Sequence, residues 1–429
     1  MNRNYFIHIV YIILFSLVSC NLEPLPADQL PSFNKLYRVS EDIEAVDFIC
    51  KPDQSGYIII GNLKSNDDSD IIIIDVGIDG MQKNLYRVNT EEYDEAVSIK
   101  LNEDDNSALI LAHRIRSNQI QDGIDQNIIL KTNLDGIPFG GNNEIPEDSS
   151  SAIIKILKSE NENSIIQLHD FLISGQNIIG VGQIRETNNG NTSRVTQIFD
   201  VSSVDFNNTI DSTILAFRQK PDNPIYNNSK LIKIKEGNVP SAVYEVFGQN
   251  ESENPDGEER EPSLNISWDA YTDLESSAGE PIFIGTDRND VFGDILFHSN
   301  GKNYIAGNYE NSDTIFIITK DYTGFNNNRG QEIYSLTGYG NQVTSLSEDS
   351  DGNIIMSTIV ESEIQNTSHI LKFSQSGQPI EGQDFEFKST GLNNTVKKIE
   401  SEPGNILVIL SQKTFDNNST AIGLMKIKF

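Results

Sequence analysis

The chain is poor in cysteine, positive charge and recognisable catalytic signatures, and each shortage removes a class of function. Two cysteines, Cys20 and Cys50, in 429 residues cannot build a disulfide framework. Only 32 Lys plus Arg stand against 63 Asp plus Glu, a formal net charge of −31. Nucleic acid is thereby excluded as a partner, because phosphate binding needs a basic footprint. The acidic surface instead confers solubility and repels anionic lipid. No long amphipathic helix period runs through the chain. Gly-x-Ser-x-Gly, a Walker loop, His-Glu-x-x-His and Gly-x-Gly-x-x-Gly are all missing, so the residues name neither a cofactor nor a metal, and no catalytic residue.

What is present is one hairpin written repeatedly. Ser55-Gly56-Tyr57-Ile58-Ile59-Ile60-Gly61 is followed, after a polar turn, by Asp70-Ile71-Ile72-Ile73-Ile74-Asp75 and the exit Asp79-Gly80. Gly301 to Gly307 with Thr314 to Thr319, and Gly352 to Ser357 with Ser368 to Phe373, are further copies. A glycine turn leading into a short β-branched run, then Asn/Asp/Ser punctuation and a second run, is the pattern of a hairpin. The runs are almost continuous in isoleucine rather than alternating, which predicts strands covered on both faces.

The spacing selects the architecture. Gly301 to Gly352 spans 51 positions and Gly352 to Gly404 spans 52. Weaker copies begin at Ser107, Gly175 and near Val239, making seven with Gly56. A repeat of about 50 residues carrying about four short strands is the period of a propeller blade. The expected fold is therefore an all-β propeller of seven blades. Asn34-Lys35-Leu36-Tyr37-Arg38-Val39 nearly repeats as Lys83 to Val88, with no blade before it, while the C-terminal Ala421 to Phe429 is a third strand without a fourth. An N-terminal strand over Leu36 to Val39 is thus predicted to pair beside Ile422 to Lys428 and complete the last blade, which removes exposed edges.

Residues 1–19 carry Arg3, an apolar run from Phe6 to Leu17 and small residues at the end, the pattern of a signal peptide. Leu17-Val18-Ser19-Cys20 resembles the lipobox of bacterial lipoproteins, which implies lipidation of Cys20 and membrane attachment through that lipid; the alternative is an ordinary export signal with an incidental cysteine. Residues 20–34, with Pro24, Pro26 and Pro31, read as a lipidated tether, and 35–429 as the propeller. Asn21 after the cysteine fits, by the same analogy, sorting to the outer membrane.

Candidate chemistry is sparse. Cys50, at the end of the inner strand Val46 to Cys50, reads as a buried inert thiol. His113, His169, His298 and His369 fall in different repeats; His169 and His298 lie on or beside first strands of their blades, where they would either converge near the axis or stand apart as core residues. Acidic runs at 66–70, 103–106 and 348–353, with Asp287, Asp290 and Asp294, suit either calcium or Asx-rich turns, and none completes an EF-hand loop.

Trp268 alone cannot supply the repeated tryptophan docking motifs of quinoprotein propellers, and Ser347 to Gly352 lacks the spacing and aromatic residue of a sialidase blade turn. The blade phrase itself, aromatic-Ile-Ile-x-Gly, then Asp-Ile-Ile-Ile, then Asp-Gly, resembles the repeat of propeller-type lipoproteins of Bacteroidota. That resemblance implies surface or periplasmic binding. Residues 249–286 read as an acidic insertion that brings Trp268, Tyr271 and Phe283 close in sequence, and these are the candidate partner contact. Two functional classes follow: a non-catalytic binding or assembly module for a glycan, peptide or envelope protein, and a polysaccharide hydrolase or lyase with carboxylates converging at the channel mouth.

Overall fold

The computed structural model describes residues 31–65, 68–88, 93–115, 126–139, 154–158, 164–175, 177–188, 191–201, 212–214, 216–217, 232–237, 244–252, 263–271, 282–284, 288–321, 331–362, 366–387, 393–413 and 419–428. In chain order, β1 (Pro31–Tyr37) precedes blade 1, formed by β2 (Asp42–Cys50), β3 (Gly56–Lys64), β4 (Ser69–Gly77) and β5 (Gln82–Val88). Blade 2 contains β6 (Tyr93–Asn102), β7 (Ser107–Ile115), β8 (Gln126–Asn133) and β9 (Ile154–Lys158). Blade 3 follows with β10 (Ser164–Ser174), β11 (Asn177–Asn188) and β12 (Asn191–Asp200). Of the two short strands after it, β13 (Ser212–Ile214) adds in parallel to β9 and β14 (Ala216–Phe217) completes blade 3.

Blade 4 is β15 (Ile232–Glu236), β16 (Tyr244–Ser252), β17 (Ser263–Tyr271) and β18 (Ile282–Ile284). Blade 5 is β19 (Asp290–Phe297), β20 (Lys302–Tyr309), β21 (Thr314–Asp321) and β22 (Gln331–Thr337). Blade 6 is β23 (Gln342–Glu348), β24 (Ile354–Val360), β25 (Thr367–Phe373) and β26 (Pro379–Phe387). Blade 7 is β27 (Asn394–Glu402), β28 (Asn405–Lys413) and β29 (Thr420–Lys428), with β1 as its outer strand. The described strands thus form seven sheets arranged as a β-propeller, each blade wound outward from its first strand.

The core lies between blades, which explains the isoleucine runs. Ile59, Ile72 and Ile74 of blade 1 pack against Leu407, Ile409 and Ile422 of blade 7. The alternate residues Ile58, Ile60, Ile71 and Ile73 pack against blade 2, on Ile99, Ile110 and Ile128. Every residue of β4 is buried, so alternation disappears because both faces are interior. Each such side chain contributes about 1.5–3 kcal/mol on burial. Corresponding apolar clusters fill the remaining junctions of the ring.

The ring closes as the sequence predicts, with a shifted strand. Lys35 pairs with Leu424 and Tyr37 with Ile422, but the strand runs Pro31–Tyr37 instead of over Leu36 to Val39. The expected tether of 20–34 accordingly ends before Pro31. Phe33 and Tyr37 account for the shift: the Phe33 ring packs tilted against that of Tyr57, 6.4 Å between centroids, and the Tyr37 hydroxyl donates to the Gly80 carbonyl at 2.9 Å. Gly80 has φ +77°, and a Cβ there would lie 2.7 Å from the Phe33 ring, so this glycine admits the closing strand. Pro31, lacking an N–H, stands at the first position of an outer strand, where a proline is tolerated.

The insertion expected over 249–286 is corrected as well. β16 continues to Ser252, and its register with β17 runs unbroken from Tyr244 opposite Tyr271 to Ser252 opposite Ser263. Blade 4 therefore has its own third and fourth strands within that stretch, and residues 253–262 lie outside the described residues. The period-2 alternation Leu264, Ile266, Trp268 between Asn265, Ser267 and Asp269 is the strand signal that the acidic context obscured.

Candidate functional site: the central channel

Six of the seven innermost strands carry a β-bulge at one level: Ala45/Asp47, Ala96/Ser98, Leu168/Asp170, Phe292/Asp294, Val343/Ser345 and Val396/Lys398. Innermost strand β15 pairs without one. A bulge re-aims the residue that follows it, and that residue is polar every time. Facing the bulge, the second strand often carries the glycine of the repeated hairpin phrase. A Cβ on Gly61, Gly182 or Gly307 would stand 2.5, 2.1 or 2.2 Å from a carbonyl oxygen of the innermost strand, which gives this recurrent glycine its reason.

The post-bulge aspartates link one blade to the next. Asp47 accepts the Phe48 N–H on Oδ1 (2.8 Å) and the Ile99 N–H of blade 2 on Oδ2 (3.1 Å), while Lys398 of blade 7 donates to Oδ1 at 2.6 Å. Asp294 repeats the arrangement with the Ile295 N–H (2.8 Å), the Leu346 N–H of blade 6 (2.7 Å) and Lys233 of blade 4 (2.5 Å). Asp170 accepts the Ile234 N–H at 3.3 Å and lies 3.3 Å from Lys100 Nζ. Lysine and carboxylate thus alternate around the channel.

A second tier of polar groups holds the N–H just before the bulge. Ser411 accepts from Ala45, Asn62 from Ala96, Asn127 from Leu168 and Ser368 from Val396, at 2.8–3.1 Å. These bonds satisfy backbone donors that the bulge frees from the ladder.

The electrostatics follow from the pairing. Burial works to raise Asp47 and Asp294, but the ammonium groups beside them and the backbone N–H groups outweigh it and hold both carboxyls below the usual range. Glu44, at the rim, behaves likewise: burial opposes ionisation, but Lys397 and Lys64 bring it down to about 2. Glu400, two positions beyond Lys398, moves the other way, pushed up by burial. Cys50 is half-buried rather than buried; it hydrogen-bonds to Glu400, and its thiol is raised by burial and by the charges of Glu400 and Glu402.

The histidines do not meet on the axis. His298 Nε2 contacts the Gly352 carbonyl at 2.9 Å, and its Nδ1 accepts the Asn300 N–H at 3.0 Å. His169 is the bulged residue of β10 and lies near His113 and Gln183; burial holds it down at about 4. Asp349 is a turn residue: Oδ1 accepts the N–H groups of Asp351 and Asn353, and Oδ2 pairs with Lys372 at 2.8 Å. Asp294, grouped by sequence with the acidic turns, is a channel residue on β19. Among the described residues no cluster of three His, Cys, Asp or Glu side chains could hold a metal ion, and no helix is long and apolar enough to cross a membrane.

Cys20 lies outside the described residues. Trp268 and Tyr271 stand on β17 and Phe283 on β18, with Trp268 opposite Ile282 and Phe283 opposite Ser267. The structure therefore places these positions together on the outer half of blade 4 instead of on a loop; their side chains lie outside the described residues. The channel residues were missed. Their signal is the short motif apolar-x-(Asp/Ser/Lys)-apolar before each hairpin, as in Ala45-Val46-Asp47-Phe48 and Phe292-Gly293-Asp294-Ile295.

No family model and no curated protein sequence matches the chain. Among solved structures, a puromycin-hydrolysing peptidase of Mycobacterium tuberculosis superposes with a TM-score of 0.49 at 7% identity, over 92% of this chain and 54% of the peptidase. The chain thus spans about half that enzyme's length. The endosialidase of phage phi92 gives 0.47 at 9% identity, over 92% and 69% of the two chains. An oligogalacturonate lyase from Vibrio parahaemolyticus gives 0.49 at 8% identity, over 92% of both. Likeness at this level carries no inference about chemistry.

Proposed function

We propose that the chain is an envelope-anchored binding or assembly module, held to the outer membrane by lipid on Cys20 and presenting the propeller to a glycan, a peptide or an envelope protein. The observation that carries this reading is the engagement of the channel carboxylates. Asp47, Asp170 and Asp294 each hold a lysine and a backbone N–H of an adjoining blade. Carboxylates so bonded serve as joints of the scaffold, and Asp47 and Asp294 are held below the usual range, whereas a general acid must carry a proton near working pH.

The partner contact is assigned to the outer half of blade 4, where Trp268, Tyr271 and Phe283 share two paired strands. Aromatic anchors of this kind cost about 2–4 kcal/mol when truncated at an interface. Envelope extract and a glycan array, probed with the wild type and Trp268→Ala, test it. A bound species that Trp268→Ala loses supports the module, whereas intact binding in the variant removes this contact.

A polysaccharide hydrolase or lyase is the second reading, and one observation favours it. Glu400 is pushed up while Asp47 is held down in the same channel, the division of labour that acid and base catalysis requires. Release of reducing ends or unsaturated sugars by the purified protein, abolished in Glu400→Gln, would establish that reading over the first.

A further inference from the structure

The alternating ring has a surplus lysine at blade 4. Lys398 serves Asp47, Lys100 serves Asp170 and Lys233 serves Asp294. The side chain of Lys235, on the same innermost strand as Lys233, makes no hydrogen bond or ion pair among the described residues. It is half-buried on the same face of β15 as Lys233, whose ammonium reaches Asp294, and it stands in the field of Asp294, Lys100, Lys233 and Asp170. Four channel lysines, Lys100, Lys233, Lys235 and Lys398, face three aspartates, Asp47, Asp170 and Asp294, and Glu400, which burial pushes toward its neutral form; one positive charge is left unmatched, inside a protein whose net charge is −31.

The backbone at this junction differs from the others. Elsewhere adjoining innermost strands pack on each other: β2 on β6, β6 on β10, β10 on β15, β19 on β23, β23 on β27 and β27 on β2. Between blades 4 and 5, β19 packs on β16 and β17, and the Lys233 side chain spans the junction to Asp294. β15 is also the innermost strand without a bulge, so no post-bulge residue of its own turns into this part of the channel.

We propose that the channel at the junction of blades 4 and 5 binds a small carboxylate anion, with Lys235 as its ion-pair partner. Each carboxylate of the ring sits between a lysine and backbone N–H groups, and a ligand carboxylate on Lys235 extends that pattern by one member. One negative charge matches the one unpaired ammonium. A dianion such as phosphate would face Asp170 and Asp294 with its second charge uncompensated. Burial and the neighbouring ammonium groups of Lys100 and Lys233 hold the Lys235 ammonium down, so an arriving carboxylate stabilises the charged form and couples binding to proton uptake. A free carboxylic acid and a sugar acid supply the same group, and the test separates them.

Saturation-transfer NMR on the purified full chain, with acetate and glucuronate as probes and chloride or inorganic phosphate at equal ionic strength as competitors, reads the site. Transfer to acetate that neither competitor displaces is expected. Lys235→Gln should weaken it about tenfold or more, and Lys235→Arg should keep it. Transfer to glucuronate alone keeps the site and makes a sugar acid its source. No transfer to either probe, or equal transfer in a folded Lys235→Gln variant, overturns the proposal. Should that variant not fold, amine labelling of the wild type decides: acetate should slow modification of Lys235 and leave exposed Lys83 unaffected, and an unchanged Lys235 rate overturns the site.

Discussion

At the scale of single residues, the stability of this molecule is tied to protonation through the channel. Asp294 carries two backbone N–H bonds and one lysine while buried, so Asp294→Ala leaves an ammonium and two N–H groups without their acceptor. The expected loss is about 3–5 kcal/mol, read from urea unfolding at pH 7. Because the folded carboxyls of Asp47 and Asp294 lie below their unfolded values, their contribution is present above the unfolded carboxylate range. It is lost as the pH falls through the folded values. His169 works in a higher window. Its folded value, about 4, lies below that of an exposed imidazole, so its contribution is complete above about pH 6.5 and declines as the pH drops toward 4. His169→Gln should therefore flatten the dependence of Tm on pH between those limits, and an unchanged slope would show that another group sets it.

At the scale of elements, closure and close approach decide what the fold tolerates. β1 supplies the fourth strand of blade 7 and covers what would otherwise be the free edge of β29. Removing residues 31–37 exposes a row of unpaired backbone groups and the Tyr57 and Gly80 surfaces, so the shortened chain should melt much earlier or aggregate on gel filtration. Gly61→Val tests the inner contact: its Cβ would meet the Glu44 carbonyl at 2.5 Å and Ile422 at 2.6 Å, with an expected cost of about 1–3 kcal/mol or more. These elements also mark how far the sequence could be read. The hairpins of blades 1, 5 and 6 were legible because glycine turns and isoleucine runs are local signals. Closure was legible because the sequence around Leu36 repeats around Leu85 on the outer strand of blade 1, although the pairing sets Leu36 level with Arg87 instead. The outer strands of blade 4 were not, since Ser263–Tyr271 is a short apolar–polar alternation beside an acidic stretch. The channel ring was hidden for a different reason. A residue that follows a bulge changes its direction by a one-residue shift in register, so Asp47 and Asp294 look like any polar residue in a strand until the pairing is known.

At the scale of the whole molecule, the direction of the chain sets which end can face a membrane. Pro31 opens β1 opposite Ile427, at the end where β27 passes into β28 through Pro403 and Gly404. Gly80 against Phe33 places the β4–β5 turn at that same end, and this turn carries Ile78 and Met81, 46% and 54% exposed. The chain leaves β16 at Ser252 and re-enters β17 at Ser263 at the opposite end of its blade. A lipid on Cys20 would thus draw the Ile78 and Met81 end toward the bilayer and leave the Ser252 and Ser263 end of blade 4 facing away. Acyl chains contribute about 0.8 kcal/mol per buried methylene, so more than one chain holds the protein stably, while two exposed apolar side chains alone do not. Cys20→Ala should therefore move the protein from the membrane fraction to the soluble fraction without changing its Tm, since no described part of the propeller contains that residue. Continued membrane association of Cys20→Ala after a carbonate wash would refute the lipid anchor and turn attention to the Ile78 and Met81 turn.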